Sequence, residues 1–301
     1  VREPGGAYHW ARRFVQDPRG GQVFVLTCLI GFGIQDFDFS IDPSGVSLAL
    51  LGAFCAEWLG RQWQGRRFDP LSPWITALSL TLLLRTSNVE IMFLAAFAAV
   101  GSKFLLRWDG RHFFNPANFV LVVGAFLFDE IWISPGQWGA LGVAAVLLAG
   151  AGAVVAGRAA RLDTTLTFLV VWTALLFGRA AWFGDPFSIP WHQLQSGAIL
   201  VFAFFMISDP ATTPRSRSGR IQHAAAVAGL GFWMQMAWMS DSGPIHALFL
   251  LAPLVPLLNW LAVSHAVATR RVRVEESTTC VYLSRVSSKP QSSPPRSAAL
   301  R

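Results

Sequence analysis

The sequence is poor in charge. Asp, Glu, Lys and Arg make up 14% of its 301 residues, against roughly 25% in an average soluble domain, while apolar residues make up 53%. A water-soluble core of this size cannot hide that much apolar surface, so the balance excludes an ordinary soluble domain. Cysteine is scarce as well. Cys28, Cys55 and Cys280 show no C-x-x-C spacing, read as packing residues and give no sign of a disulfide framework or a metal site. A glycine-rich phosphate loop, a Ser-His-Asp order and a metal-ligand cluster are all missing. The histidines His9, His112, His192, His223, His246 and His265 have no paired spacing suited to haem. The first twenty residues are charged and carry no apolar stretch of signal-peptide type, so insertion is expected to be directed by the first membrane helix.

What the sequence has instead is apolar length. Stretches at about 21–35, 44–60, 71–84, 89–106, 116–133, 139–157, 163–183, 192–208, 221–239 and 245–267 approach the ~20 residues needed to cross ~30 Å of hydrocarbon. The expected fold is all-α: a polytopic integral membrane helix bundle of about ten spans, the third and fifth short or broken. Five spans plus five permit an inverted structural repeat, although none is visible as sequence identity.

Cation placement tests this topology independently. With the N-terminus cytoplasmic and every stretch crossing, all Lys and Arg except Arg85 and Arg179 fall on the cytoplasmic side. Asp36, Asp38, Asp42, Asp129, Glu130, Asp185 and Asp241 fall opposite. One missed span would invert every later loop, so the positive-inside pattern predicts ten crossings with both termini cytoplasmic. The net charge of +7 then belongs to a face near anionic lipid, and a nucleic-acid partner is not called for. Residues 1–19, with Arg2, Arg12, Arg13 and Arg19 among Tyr8, His9, Trp10 and Phe14, suit a cytoplasmic interfacial segment. Residues 20–268 form the transmembrane domain, and the basic, Ser/Pro-rich residues 269–301 are a cytoplasmic tail disordered by composition.

The candidate site comes from three polar–proline dipeptides. Asp69-Pro70 and Asn115-Pro116 each read as an N-cap followed by proline at the first helical position, so the third and fifth spans start sharply. Asp209-Pro210 follows the eighth span within Ser-Asp-Pro-Ala-Thr-Thr-Pro (208–214). The topology puts all three on the cytoplasmic side, where helix dipoles could hold an anionic group or a flavin edge. The plain alternative is that they only punctuate helices. Asp69, Asn115, Asn118, Asp209, Thr212 and Thr213 form the candidate cofactor- or ion-binding set. Arg85 and Glu90, at the outer ends of the third and fourth spans, are close enough in sequence to staple their turn or to line an ion path. Arg179, near Asp185, either snorkels outward or faces the interior. Glu57 can pair with Arg61 one helical turn on. Gly150, Gly152 and Gly157 read as a close helix-packing surface.

These motifs resemble the membrane subunits NqrB and RnfD of Na+-translocating quinone reductase and the Rnf electron-transport complex, over roughly residues 15–265. The most specific pieces are Phe-Asp-Pro at 68–70 with the helix after it, Lys103, Gly-Arg-His-Phe-Phe-Asn-Pro-Ala-Asn-Phe at 110–119, Phe-Met-Ile-Ser-Asp-Pro-Ala-Thr-Thr-Pro at 205–214, and Gly219-Arg220. Ser-Pro-Gly-Gln-Trp-Gly (134–139) and His-Gln-Leu-Gln-Ser-Gly (192–197) are similar to the short RnfD-like, UnbU-like proteins associated with enediyne biosynthesis. The resemblance implies a multi-pass subunit of a bacterial cytoplasmic membrane, working with other redox subunits in flavin-mediated electron transport coupled to cation movement. Longer members attach FMN covalently to the threonine of a Ser-Gly-Ala-Thr motif in an outer loop. Here Asp129 to Trp138 has Ser134 as its sole hydroxyl, so covalent FMN is not expected, whereas non-covalent riboflavin or FMN is compatible. The alternative is a flavin-free transporter or permease on the same scaffold. No self-contained catalytic site is expected.

Overall fold

Each of the apolar stretches carries a helix. The computed structural model describes residues 16–35, 41–134, 142–238 and 242–262. The helices are α1 (Pro18–Gln35), α2 (Pro43–Trp63), α3 (Leu71–Leu83), α4 (Ile91–Leu105), α5 (Pro116–Leu127), α6 (Gly142–Arg158), α7 (Leu162–Phe183), α8 (Ser188–Leu194), α9 (Gly197–Val201), α10 (Arg217–Trp238), α11 (Gly243–Leu251) and α12 (Leu254–Ala262). A π-helical turn, Phe202–Met206, continues α9. Strand β1 (Leu84–Thr86) pairs antiparallel with β4 (Ile131–Ile133), and β2 (Arg107–Trp108) with β3 (Arg111–His112). Most of the interfacial segment, the acidic residues Asp36, Asp38 and Asp241, most of the Ser-Pro-Gly-Gln-Trp-Gly motif and the tail lie outside the described residues. The chain divides at Leu258 into a large unit and a C-terminal one, Asn259–Arg301, of which only the end of α12 is described.

The helix starts follow local chemistry. Asp42 accepts from the Ser44 amide at 2.8 Å ahead of Pro43, and Asn115 accepts from the Asn118 amide at 3.1 Å ahead of Pro116. At α3 the start is one residue later than the sequence predicts. Pro70 takes the cap position, and Asp69 Oδ1 accepts from the Leu71 amide at 3.3 Å. At the other end of α7, Gly184 adopts φ 75°, and its N–H closes on the Ala180 carbonyl, the left-handed stop that glycine makes cheaply.

Helices α3 and α5 have 13 and 12 residues, or ~20 and ~18 Å, well short of the hydrocarbon thickness. Helix α3 runs directly into β1 and α5 reaches β4 through a turn at 128–130, and the two strands pair Leu84 with Ile133, Arg85 with Trp132 and Thr86 with Ile131. Extended backbone in a dry environment must satisfy its amides, and these segments satisfy each other's. The stretches 192–208 and 245–267 are also less regular than simple spans: the first divides into α8, α9 and the π-turn, and the second bends by 51° between α11 and α12.

Helix α2 packs on α3 and α4, α1 on α3 and α6, α4 on α5, α7 on α10, and α10 on α11. Leu80, Leu82, Leu121, Phe168 and Phe202 are fully buried between them. Close approach depends on glycine at two crossings. A Cβ on Gly52 would strike the Phe93 backbone, and one on Gly231 would strike Pro244. The expected Gly150–Gly157 packing surface reduces to Gly152, which lies against Phe204, whereas Gly150 and Gly157 have nothing within 4 Å of a built Cβ.

The bundle's outside is apolar. Phe126 and Trp182 are 87% and 85% exposed, and only 22% of the most apolar window of α7 is buried. A core helix of a soluble protein would be mostly covered; apolar surface of this extent marks a face that meets a membrane or another protein. By length and composition alone, α7 is the single described helix able to cross a membrane, or one of two if the bent pair α11 and α12 counts as one span. The other helices are too short or carry polar residues, so the individual helices do not establish the expected number of crossings.

Candidate functional site

Asp69, Asn115 and Asp209 line one cavity of about 380 Å3. Thus the structure brings together the three polar–proline dipeptides, although they come from distant parts of the chain. Asp69 Oδ2 accepts from Arg19 at 2.6 Å and lies 3.7 Å from Arg61. Asn115 Oδ1 caps α5, and its Nδ2 is 3.5 Å from Asp209 Oδ2. Asp209 Oδ1 accepts from the Ala211 amide at 2.9 Å, and its carbonyl accepts from the Thr212 and Thr213 amides. Asp209 therefore holds a compact turn instead of starting a helix.

The other three candidates support this arrangement from behind. Thr212 and Thr213 are buried; the Thr213 hydroxyl donates to the Asp209 carbonyl at 3.0 Å and accepts from Arg161 Nε at 2.9 Å. Asn118 is fully buried, and its Nδ2 donates to the Ile245 carbonyl at 2.8 Å, tying the first turn of α5 to that of α11. Its Oδ1 has no hydrogen-bond partner among the described residues.

Sequence reading found the Glu57–Arg61 contact, now a 2.6 Å pair along α2, but not the partner across the bundle. Lys103 Nζ, on α4, meets the other Glu57 carboxylate oxygen and donates to Ser72 Oγ at 2.9 Å. Glu57 is completely buried and Lys103 nearly so. The available signal was a lysine inside an otherwise apolar helix, a placement that demands a counter-charge.

A hairpin was also missed. Asp109 and Gly110 take φ 49° and 74°, the two left-handed residues of a tight turn for which Asp-Gly is suited. It presents Arg107 and His112 to the cavity, while Arg111 donates to the Pro210 and Ala211 carbonyls at 2.6 and 2.9 Å. The hairpin is thereby tied to the Asp209 turn. Burial holds the His112 pKa below the ordinary histidine value; Asp209 opposes this, and Lys103, Arg107 and Arg111 reinforce it.

Two other expectations resolve elsewhere. Arg85 does not pair with Glu90: its Nη1 donates to the Thr81 and Leu84 carbonyls at 3.0 Å, and Glu90 is exposed. Pairing of β1 with β4 sets Arg85 opposite Trp132 and leaves its guanidinium over the C-terminal carbonyls of α3, which attract a cation. Arg179 pairs with Asp185 at 2.8 Å, lies over Phe183 and is partly exposed, so it does not enter the cavity.

Residues 128–268 match the NQR2, RnfD, RnfE family. Among curated proteins, a subunit of the ion-translocating oxidoreductase complex of Tolumonas auensis is 36% identical over 73 residues, 24% of this chain and 21% of that protein. Its namesake from Escherichia coli O1:K1 is 33% identical over 106 residues, 34% of this chain and 29% of that protein. This chain therefore spans less than a third of these relatives' length. The family match takes in Asp209, Thr212, Thr213 and Arg179; Asp69, Asn115 and Asn118 precede it. It also takes in Ser134, which is buried and whose amide donates to the Leu83 carbonyl at 2.7 Å as a continuation of the strand ladder.

Proposed function

We propose that this chain is a membrane subunit of an RnfD- and NqrB-like, redox-linked system for electron transport or cation translocation. The observation that carries this reading is the meeting of Asp69, Asn115 and Asp209 on one charged cavity at the starts of two short helices. Broken helices whose ends face a polar cavity are the usual form of a site inside a membrane bundle. The family match over residues 128–268 agrees with it. Other subunits of such a complex are its expected partners.

The topology in this reading is ten crossings of a bacterial cytoplasmic membrane with both termini cytoplasmic, arranged as an inverted five-plus-five repeat. Helix lengths support the repeat. The first half runs 18, 21, 13, 15 and 12 residues. The second has α6 with 17, α7 with 22, then the short α9 and π-turn, α10 with 22 and α11 with 9. In each half the second helix packs on the fourth and the fourth on the fifth.

The ligand of the cavity in this reading is a non-covalent flavin, riboflavin or FMN. Ser72, Thr76 and Ser79 offer hydrogen bonds along one wall, with Ile75 and Phe104 as apolar surface, which suits a flat ring with polar edges. Covalent attachment is not part of the reading, since no threonine lies between Asp129 and Trp138. The test is an absorbance spectrum of the protein purified in mild detergent. Flavin bands that survive dialysis and vanish on denaturation and filtration are expected. Colourless protein that takes up neither riboflavin nor FMN would overturn a direct redox role.

A second reading, a flavin-free transporter on the same scaffold, is favoured by one observation: the segment after α5 forms β4 and carries no threonine. Flux of an ion or small molecule into proteoliposomes without an electron donor would support it. A role for either activity in natural-product biosynthesis is part of this reading, supported by the resemblance to UnbU-like proteins alone.

A further inference from the structure

Charge around the cavity is unbalanced. Five basic side chains line it, Arg19, Arg61, Arg66, Lys103 and Arg107, against the carboxylates of Asp69 and Asp209. Three of the five are committed: Arg19 to Asp17 and Asp69, Arg61 to Glu57 and Asp69, and Lys103 to Glu57. Arg66 and Arg107 have no carboxylate partner among the described residues. The Arg107 guanidinium donates to the Gly110 carbonyl of its own hairpin, while its Nε–H is buried without an acceptor. A buried donor without a partner is costly, and more so on a charged group. Asp209 does not relieve this: it lines the same cavity but makes no hydrogen bond or ion pair with Arg107.

We propose that the cavity holds the phosphate group of its ligand, with Arg107 as the direct donor and Arg66 as the second cation. The inference rests on the same cavity being a ligand site, but not on the ligand being a flavin. Two uncommitted guanidiniums match a phosphate monoester, which carries ≈ −1.5 to −2 charges near neutral pH, better than a single carboxylate. Guanidinium geometry also favours bidentate contact with phosphate oxygens. The first turns of α3 and α5 add positive dipole ends to the same space. The phosphate can come from a phosphorylated small molecule or from a phospholipid headgroup, and the chemistry at Arg66 and Arg107 is the same for both.

The full chain in a phosphate-free detergent provides the test. Pyrophosphate should raise the melting temperature above that in sodium chloride of equal ionic strength, and Arg66→Gln and Arg107→Gln should each reduce the shift. Because Arg107→Gln removes a partly buried group, Arg107→Lys serves as a second variant: it keeps the charge, loses the Nε–H and should retain only part of the shift. FMN and riboflavin differ by the phosphate alone, so FMN should bind about tenfold tighter, the worth of one charge-assisted hydrogen bond, with the preference lost in Arg66→Gln. A lipid source predicts instead that phosphatidylglycerol in the micelle abolishes the pyrophosphate shift while phosphorus-free glycolipid does not. A pyrophosphate shift without flavin binding supports the phosphate site and counts against the flavin reading. Equal binding of FMN and riboflavin, unchanged in the variants, overturns the phosphate site and leaves the flavin reading standing. No pyrophosphate shift in the wild-type protein, delipidated or not, overturns the inference.

Discussion

Lys103 on α4 and Glu57 on α2 form an ion pair inside the helix bundle, and the same carboxylate also holds Arg61. Two cations therefore meet on one acid that has no exposure to solvent, and Arg61 alone has a second carboxylate, Asp69, nearby. Lys103 also lines the cavity and reaches Ser72 at the start of α3.

Removing one partner of a buried pair leaves the other charged and dry, at about 3–5 kcal/mol. Glu57→Gln should cost that much, while Lys103→Met should cost less because Glu57 keeps Arg61. In the double variant the two losses should be markedly less than additive. Thermal or denaturant unfolding in detergent, arranged as a double-mutant cycle, measures the coupling.

The three polar–proline residues separate capping from binding. Asn115→Ala should cost about 1 kcal/mol through loss of the α5 cap. If the cavity is a site, Asn115→Ala, Asp69→Ala and Asp209→Ala should each also weaken retention of flavin while the protein still inserts. Unchanged flavin retention in all three would reduce these residues to helix punctuation.

His112 predicts an acid-side instability. Burial lowers its pKa below the usual value, so the unfolded chain takes up a proton that the folded chain resists as pH falls through the ordinary histidine range. Folding stability should be flat above neutrality and fall below about pH 6.5. His112→Gln should flatten that part of the curve. Melting temperature measured against pH in both proteins gives the comparison.

Glycine contacts give a paired prediction. Gly52→Ala would push a methyl group into the Phe93 backbone, which cannot yield as a side chain can; a loss of about 1–3 kcal/mol or failure to fold is expected. Gly150→Ala meets nothing within 4 Å and should be neutral or slightly stabilising, since alanine is the better helix former.

How far the sequence could be read depended on whether the interaction was local. Asp69-Pro70, Asn115-Pro116 and Asp209-Pro210 announce themselves by cap and ring chemistry within two residues, and the three residues line one cavity. Glu57–Arg61 lies one turn apart and was equally visible. The Lys103–Glu57 contact joins residues on different helices, so no local pattern records it. A short separation suggests an Arg85–Glu90 pair, whereas Arg85 donates to the Thr81 and Leu84 carbonyls instead. The π-turn at Phe202–Met206 has no sequence mark at all: its carbonyls are served by Gln22, Thr165 and Ser208 from three different segments.

The strand pair that joins the ends of α3 and α5 has a consequence for traffic through the molecule. From Leu83–Ser134 through Arg85–Trp132 to Ser87–Glu130, the two segments are laced by backbone hydrogen bonds, so the C-terminal ends of α3 and α5 cannot part without breaking that ladder. Under the transporter reading, a path that opened between α3 and α5 would have to unlace the ladder first.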